Sequence, residues 1–117
     1  MAIVYEPFNS EEWINNVDNI VLIAVPNLAD KLGELAARFY RRPSEQMQLI
    51  GITGTNGKTS CSQFLAQILE DCAVIGTLGW GQFPNLQRTV NTTPDALALQ
   101  KMLSSFVEKK IKTVAME

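Results

Sequence analysis

The sequence predicts an α/β fold: a parallel sheet that contains a strand, a glycine-rich loop and a helix in succession, preceded by a short N-terminal α/β segment. Apolar, β-branched runs alternate with amphipathic helical patterns from residue 47 onward. That order implies parallel pairing with right-handed crossovers. Of the 117 residues, 46% are hydrophobic and 19% are charged, so the chain can bury a core and is not a disordered tail.

The N-terminal segment has the weakest patterns. Apolar runs at residues 3–5 and 20–25 predict two strands. Between them, Ser10 is a suitable N-cap and predicts a short helix over residues 10–14. These elements form the short α/β segment of the predicted fold.

A helix and a linker follow. After Asn27, a predicted N-cap, apolar residues recur at helical spacing as far as Phe39. Residues 41–46 break this pattern with two arginines and a proline, so we interpret them as a linker. The predicted domains are therefore residues 1–46 and residues 47–117.

A strand at residues 47–53 leads into residues 54–60, which we call the predicted phosphate loop. Gly54 and Gly57 can adopt positive φ angles, so that successive backbone N–H groups turn inward and form an anion-binding concavity. The helix that follows adds its free N–H groups and the positive end of its dipole. This order is the one that phosphate-binding loops require.

Two side chains of the predicted phosphate loop suit a nucleotide. Lys58 can place a positive charge on the β- and γ-phosphates, and the Thr59 hydroxyl can hold Mg²⁺. The strict pattern G-x-x-x-x-G-K-[ST] is not met, because Ile52 stands where the first glycine is required. A glycine turn with a solvated lysine is the alternative, and the flanking strand and helix disfavour it.

Another helix and strand follow the loop. The helix is predicted to run to about Asp71, and residues 73–78 read as a buried strand. Residues 79–88 read as a long loop, in which Trp80 either serves a function or covers the sheet edge. The helix has one predicted apolar face, formed by Cys61, Phe64, Leu65, Ile68 and Leu69.

A last helix is predicted from its N-terminal residues. Thr93 suits the N-cap, Pro94 the first helical position and Asp95 the first turn. This capping pattern does not require Asn91 or Thr92, which leaves both open to another role. The apolar face of this helix is predicted to contain Leu99, Met102, Leu103, Phe106 and Val107.

The chain closes with an apolar strand that ends in Glu117. A carboxylate at that position, downstream of a phosphate loop, resembles the element that holds Mg²⁺ in nucleotide-binding proteins, although it could equally be a frayed end. Ligands bind at the carboxyl ends of parallel strands, so residues 54–59 and Glu117 are predicted to meet at one edge of the sheet.

The composition excludes several classes of function. A formal net charge of −2 gives no reason to expect nucleic acid or an anionic membrane as a partner. No apolar run reaches the length of a membrane span, so membrane insertion is not expected. With no histidine in these residues, His-based metal sites and Ser-His or Cys-His catalysis are excluded within them. Two cysteines at helical spacing suit buried thiols in a reducing compartment better than a disulfide or a metal site, which favours a cytoplasmic location.

Two other nucleotide-binding classes fit poorly. A GTPase needs Asp-x-x-Gly after the loop, but the pattern occurs at Asp30 to Gly33, upstream and within a predicted helix. The guanine-reading pattern Asn-Lys-x-Asp is absent from the sequence. A nucleoside-phosphate kinase needs several arginines on the transferring phosphates, and only Arg88 follows the loop.

The chain resembles the Mur ligase family, which uses ATP to form amide bonds in peptidoglycan precursors. Residues 53–59 read Thr-Gly-Thr-Asn-Gly-Lys-Thr and match the phosphate loop of that family throughout, which explains the failed strict pattern. Within the family, the chain is most similar to the ligases that add the third amino acid to UDP-N-acetylmuramoyl-L-alanyl-D-glutamate. Further matching stretches are Arg38-Phe39-Tyr40 with Pro43-Ser44, Gly76-Thr77-Leu78-Gly79, Asn91-Thr92-Thr93-Pro94-Asp95-Ala96 and Ala115-Met116-Glu117.

The resemblance implies a role for each matching position. Lys58 is implied as the catalytic residue on the γ-phosphate, Thr59 and Glu117 as the Mg²⁺ ligands. Contacts to the UDP-linked muramoyl dipeptide are implied for Asn91, Thr92 and Thr93. The ATP phosphates are implied to bind Gly54, Thr55, Asn56, Gly57, Lys58, Thr59 and Ser60.

The resemblance also implies that the chain is partial. Residues 1–46 correspond to the end of a UDP-substrate domain with its linker, and residues 47–117 to the first half of the central ATP-binding domain. We therefore expect no ligation by the chain alone and a tendency to self-associate.

Three interpretations of the function stay open: a ligase of diaminopimelate or lysine, another Mur-type ligase such as cyanophycin synthetase, and a non-catalytic nucleotide-binding or orphan fragment. Folylpolyglutamate synthases usually carry Gly-Lys-Gly-Ser in this loop and fit less well.

Overall fold

A computed structural model describes residues 2–7, 20–88 and 94–117. Their contacts divide the chain into two compact units, Met1–Leu32 and Gly33–Glu117. The helix predicted over residues 10–14 lies outside the described residues. The predicted domain boundary between residues 46 and 47 stays a prediction.

The first unit contains a pair of parallel strands, β1 (Ala2–Tyr5) and β2 (Val21–Ala24). The register aligns Ala2 with Val21 and Tyr5 with Ala24. Both predicted strands are therefore confirmed.

Helix α1 (Leu28–Phe39) begins directly after the predicted cap Asn27. The predicted linker contains a short 3₁₀ turn, Pro43–Gln46. The Arg42 guanidinium lies 2.8 Å from the Glu34 carboxylate and 3.1 Å from that of Glu45. Since all three side chains are exposed, this ion-pair network stabilises the turn only weakly.

A four-stranded mixed sheet forms the second unit. Its strands are β3 (Gln48–Gly51), β4 (Cys72–Gly76), β5 (Gly79–Gly81) and β6 (Thr113–Met116), in the spatial order β3-β6-β4-β5. Strand β6 pairs in parallel with both β3 and β4, as predicted. Strand β5 pairs antiparallel with β4, which corrects the expectation of a purely parallel sheet.

Strand β5 is antiparallel because a turn at Thr77 and Leu78 brings the chain back along β4. Residues 79–88 were predicted to form one loop, but Trp80 lies in β5 and also pairs with Gln87 through two hydrogen bonds of 2.9 Å. Gly79 permits this close approach, because a Cβ atom built on it would collide with the Gln87 carbonyl. Of the two readings of Trp80, packing is the one observed: its ring lies 5.6 Å from that of Phe106.

Helix α2 (Lys58–Ile68) begins within the predicted phosphate loop, whose last three residues form its first turn. Its predicted apolar face is wrong in part, because Cys61 is exposed and the side chains of Phe64 and Ile68 are 62% and 76% exposed. The residue that α2 buries is Ser62. A small hydroxyl side chain allows the helix to lie close to the sheet and to bind a polar group there.

Helix α3 (Ala96–Glu108) begins two residues later than predicted. Asp95 is its N-cap, and the Asp95 carboxylate accepts a hydrogen bond of 2.7 Å from the Ala98 N–H. Thr93, the predicted cap, lies outside the described residues. Aspartate and threonine both suit an N-cap, and the two residues are close together in the sequence, so the pattern alone did not decide between them.

The core lies between α3 and the sheet, as the predicted apolar face of α3 required. Leu103 and Phe106 are buried and pack on the strands, with Leu99 and Met102 partly buried around them. Helix α2 connects β3 to β4, and α3 leads the chain back to β6, which lies between those two strands. Because the two crossovers run in opposite directions along the sheet and both are right-handed, α2 and α3 lie on opposite faces. The core cluster consists of Ala73, Ile75, Leu103, Phe106, Ile111 and Val114.

Replacing the buried Phe106 by alanine should lower the free energy of unfolding by about 3–5 kcal/mol, because it removes a fully buried ring and leaves a cavity. Phe64→Ala is the matched control, since that ring is mostly exposed and its loss should change stability little. Urea denaturation of both variants measures the difference. Equal losses of stability in the two variants would contradict this assignment of the core.

Candidate functional site

The predicted phosphate loop joins β3 to α2 at the carboxyl edge of the sheet. Gly54 and Gly57 have φ angles of 137° and 78°, in the region that glycine adopts without strain. Gly57 is also the N-cap of α2 and offers no side-chain cap, so the N–H groups of the first helical turn lack the usual intramolecular acceptor. An exposed helix N-terminus of this kind suits an anion.

Lys58 lies across this loop. Its Nζ atom donates a hydrogen bond of 2.7 Å to the Gly54 carbonyl, four residues upstream. The ammonium group is thus held beside the loop amides, where it adds positive charge to them. Thr55, Asn56 and Ser60 are exposed on the same segment.

Glu117 reaches the same edge from the end of β6. Its backbone N–H donates to the Ile75 carbonyl at 3.0 Å, which continues the parallel pairing of β6 with β4. The Thr59 hydroxyl donates to the Glu117 Oε2 atom at 3.0 Å. The structure therefore brings together Thr59 and Glu117, the two residues that the sequence predicted to meet.

Two further hydroxyl groups bind the same carboxylate. Thr77 Oγ1 lies 3.0 Å from Glu117 Oε2, and Ser62 Oγ lies 3.1 Å from Glu117 Oε1. The sequence reasoning missed both residues. A signal existed for each: Ser62 follows Thr59 by three residues on a helix and shares its face, and Thr77 directly follows a strand that is parallel to β6.

The hydroxyl groups keep the Glu117 carboxylate ionised. Burial alone raises the pKa of Glu117, but hydrogen bonds from the side chains of Thr77, Thr59 and Ser62 and from the Thr77 backbone outweigh it, and the pKa falls below the ordinary value of 4.5. Each of these donors stabilises the charged form. The site therefore presents a negative charge at neutral pH.

Asn91, Thr92 and Thr93 lie outside the described residues, so their predicted contacts stay predictions. The described ranges contain no group of three or more Cys, Asp or Glu side chains that could hold a metal ion. The side chains that the described residues bring together at this edge offer the Glu117 carboxylate and the hydroxyl oxygens of its partners. Within the same ranges, no helix is long and apolar enough to span a bilayer.

Residues 52–117, more than half of the chain, match the Mur ligase middle domain. This chain belongs to the Mur ligase family. The match begins just before the predicted phosphate loop and extends to Glu117, so it contains every predicted site residue.

Individual Mur ligases are similar over most of the chain. UDP-N-acetylmuramoyl-L-alanyl-D-glutamate–2,6-diaminopimelate ligase of Coxiella burnetii is 49% identical over 102 residues, which cover 84% of this chain and 21% of that protein. The ligase of the same name from Pseudomonas aeruginosa is 49% identical over 100 residues, covering 82% of this chain and 20% of that protein. The chain thus spans about a fifth of the length of these relatives.

A solved structure of a ligase with that name is similar in fold. The TM-score is 0.67 at 32% sequence identity, over 87% of this chain and 22% of the other. The α/β architecture described above is therefore that of a Mur ligase domain.

The Glu117 pKa predicts a pH-dependent contribution to stability. Because the pKa is lowered by folding, the contribution is present above the ordinary value of 4.5 and is lost as the pH falls through the lower pKa of the folded state. Glu117→Gln should cost about 1 kcal/mol of stability near pH 7, and the cost should be smaller at pH 3, where the pH is already below the ordinary pKa of 4.5. Denaturant unfolding at both pH values measures it.

Glu108→Gln is the matched control, because Glu108 is an exposed glutamate at the end of α3. Its effect should be small at both pH values. A Glu117→Gln cost that stays constant from pH 7 to pH 3, within about 0.3 kcal/mol, would contradict the assigned cause.

Proposed function

We propose that these residues form the nucleotide-binding part of an ATP-dependent ligase of peptidoglycan precursor synthesis, which adds the third amino acid to UDP-N-acetylmuramoyl-L-alanyl-D-glutamate. The hydrogen bond of 3.0 Å between Thr59 and Glu117 carries the proposal, because it joins the glycine-rich loop to the carboxylate at the end of β6. The names of the relatives support the substrate. The activity is proposed for a complete ligase, of which these residues correspond to about a fifth.

In this proposal the ATP phosphates bind residues 54–60. The positive φ angles of Gly54 and Gly57 and the uncapped start of α2 support the assignment, since they leave backbone N–H groups available to an anion. Lys58 is assigned to the γ-phosphate. Its hydrogen bond to the Gly54 carbonyl holds the ammonium group beside the loop, and a phosphate oxygen would replace that carbonyl as the acceptor.

Thr59 and Glu117 are the proposed residues for Mg²⁺. Their side-chain oxygens lie 3.0 Å apart, and carboxylate and hydroxyl oxygens are the kind of ligand that this hard cation takes. Protein sites for Mg²⁺ commonly use one or two carboxylates together with substrate phosphates, so one carboxylate fits. When bound, Mg²⁺ supplies charge neutralisation on the β- and γ-phosphates.

The reaction implied by the family is a phosphoryl transfer followed by amide formation. The carboxylate of the substrate takes the γ-phosphoryl group of ATP, which gives an acyl phosphate and ADP. The amino group of the incoming amino acid then attacks the acyl carbon, and inorganic phosphate leaves from the tetrahedral intermediate. The residues of this chain contribute by positioning the phosphates and by offsetting charge with Lys58, more than by covalent chemistry.

Diaminopimelate is the proposed amino acid, because the relatives are named for it. Lysine was the other expectation from the sequence. The amino-acid contacts are not assigned to residues of this chain. Asn91, Thr92 and Thr93 are proposed to contact the UDP-linked muramoyl dipeptide, because the resemblance to the family implies that role for these positions.

The remaining proposals concern organisation and location. Residues 1–46 are proposed to end a UDP-substrate domain, and residues 47–117 to form the first half of the central ATP-binding domain. A cytoplasmic location is proposed, because Cys61 and Cys72 are free thiols. No nucleic-acid partner is proposed for a chain with a net charge of −2.

Self-association of the chain is also proposed. Phe64 and Ile68 are largely exposed on the surface of α2, and the outer edge of β3 pairs with no other strand of the described residues. Exposed apolar side chains and open strand edges both favour association. Light scattering over a range of concentrations would detect it.

A non-catalytic nucleotide-binding fragment is the second candidate function. The short span of the chain against its relatives favours it, because ligation also requires a site for the amino acid. A cyanophycin synthetase shares the loop, but the similar proteins reported above carry the name of the diaminopimelate ligase. Nucleotide binding is common to all these readings.

Lys58→Ala should weaken the binding of Mg-ATP by about 10- to 100-fold, because it removes a charged hydrogen bond to phosphate. The matched control is Lys101→Ala, since Lys101 is an exposed lysine on α3. Isothermal titration calorimetry measures both. Failure of the wild-type chain to bind Mg-ATP at millimolar concentration, or equal binding by the Lys58→Ala variant, would contradict the proposed site.

The chain alone should show no sustained turnover of ATP to ADP when the muramoyl dipeptide and diaminopimelate are supplied. The reason is that no residue of the chain is assigned to the amino acid in this proposal, so the attack that discharges the acyl phosphate would not follow. A coupled assay for ADP measures the rate, with either substrate omitted as the control. Release of ADP that depends on both substrates would overturn the prediction.

A further inference from the structure

Gly76, the last residue of β4, lies beside Glu117. The register of β4 and β6 aligns Ile75 with Met116, so the next residues along the two strands are neighbours. A Cβ atom built on Gly76 would lie 2.6 Å from Cδ and 2.9 Å from Cγ of Glu117, and closer still to Oε1. Any side chain at position 76 would therefore occupy the space that the carboxylate fills.

Backbone conformation does not explain this glycine. Gly54, Gly57, Gly79 and Gly81 have positive φ angles, but Gly76 does not. An alanine at position 76 could adopt the same backbone angles, and the three atoms nearest to its Cβ would all belong to the flexible side chain of Glu117. The absence of a side chain at Gly76 therefore leaves space for the Glu117 carboxylate, and it has little effect on the backbone fold.

Thr77 and Ser62 hold the carboxylate in the space that Gly76 leaves. Thr77 donates to Oε2 and Ser62 lies within hydrogen-bond distance of Oε1, so each oxygen has a donor besides Thr59. Ser62 has one hydroxyl proton and a second acceptor, the Thr59 carbonyl at 2.9 Å, so its bond to Glu117 is the weaker restraint. The Thr77 hydroxyl is the stronger one.

We propose that Gly76 and Thr77 are positioning residues that fix the Glu117 carboxylate next to Thr59, with Ser62 in support. This inference deepens the proposed function and rests on it, because the positioned carboxylate is the one assigned to Mg²⁺. The Thr59 hydroxyl is then free to hold the cation, since Thr77 and Ser62 continue to hold the carboxylate. Groups that orient a metal ligand in this way commonly change metal affinity by 10- to 100-fold when they are removed.

Gly76→Ala in the full 117-residue chain tests the proposal. ATP binding is titrated with and without Mg²⁺, and the gain in affinity that Mg²⁺ provides is compared with that of the wild type. We expect Gly76→Ala to reduce this gain by about tenfold or more while binding of metal-free ATP stays unchanged. Gly51→Ala is the matched control, because a Cβ atom on Gly51 meets nothing within 4 Å.

Thr77→Val and Thr77→Ser provide a second variant pair, which keeps the proposal testable if Gly76→Ala does not fold. Valine keeps the shape of threonine without the hydroxyl, so it should also reduce the Mg²⁺ gain. Serine restores the hydroxyl and should recover it. A purely structural role of Thr77 would change the melting temperature without separating valine from serine in Mg²⁺ dependence.

The outcomes separate this inference from the proposed function. If the wild type gains affinity from Mg²⁺ and Gly76→Ala gains as much, the inference is wrong and the proposed function stands. If the wild type binds no ATP, the proposed function is wrong, and crystal structures of the wild type and Gly76→Ala without nucleotide decide the inference. A displaced Glu117 carboxylate in the variant would support it, and an unchanged carboxylate would overturn it.

Discussion

The pairing of β6 between β3 and β4 is the constraint on which the candidate site depends. Met116 is aligned with Gly51 on one side and with Ile75 on the other, so the residue after Met116 must emerge between the start of the predicted phosphate loop and the end of β4. Thr59 and Glu117 are 58 residues apart in the sequence, yet this register leaves their side-chain oxygens 3.0 Å apart. A shift of one residue would turn the Glu117 side chain to the other face of the sheet.

The same carboxylate explains how α2 packs. A helix normally turns its apolar side chains inward, but α2 buries Ser62 and leaves Phe64 and Ile68 largely exposed. The hydroxyl groups of Thr59 and Ser62 both contact Glu117 from the first two turns of the helix. Polar contacts at the candidate site thus accompany the orientation of α2, in which Ser62 is buried and Leu65 and Leu69 are half-buried.

Local chemistry and spacing predicted much of this architecture. The strand, glycine-rich loop and helix around Lys58, the parallel pairing of β3, β4 and β6, and the apolar face of α3 followed from the sequence. The antiparallel strand β5 did not, because the glycines of Gly79–Gly81 suit a loop, and the pairing of this segment with β4 depends on the turn at Thr77 and Leu78. The buried side of α2 was missed for a related reason: hydrophobic periodicity cannot register a helix that packs through a serine. The roles of Ser62 and Thr77 were not predicted, because nothing in the local sequence distinguishes them from other hydroxyl residues. Their role depends on the neighbouring Glu117 in the folded chain.

The choice of hydroxyl groups as partners for Glu117 has a chemical consequence. An arginine or lysine would have lowered the pKa of the carboxylate too, but the ion pair would have cancelled the charge that a cation requires. Among the described residues the ion pairs involve the carboxylates of Glu34, Glu45 and Asp71 and not that of Glu117, and the ammonium group of Lys58 is bound to the Gly54 carbonyl. Hydroxyl donors stabilise the ionised carboxylate and leave its net charge in place. Each hydroxyl group can also donate its hydrogen bond to a different acceptor at little cost in free energy. Glu117 is thus held in position and ionised with its charge uncompensated, which is the state in which a carboxylate binds a hard divalent cation most strongly.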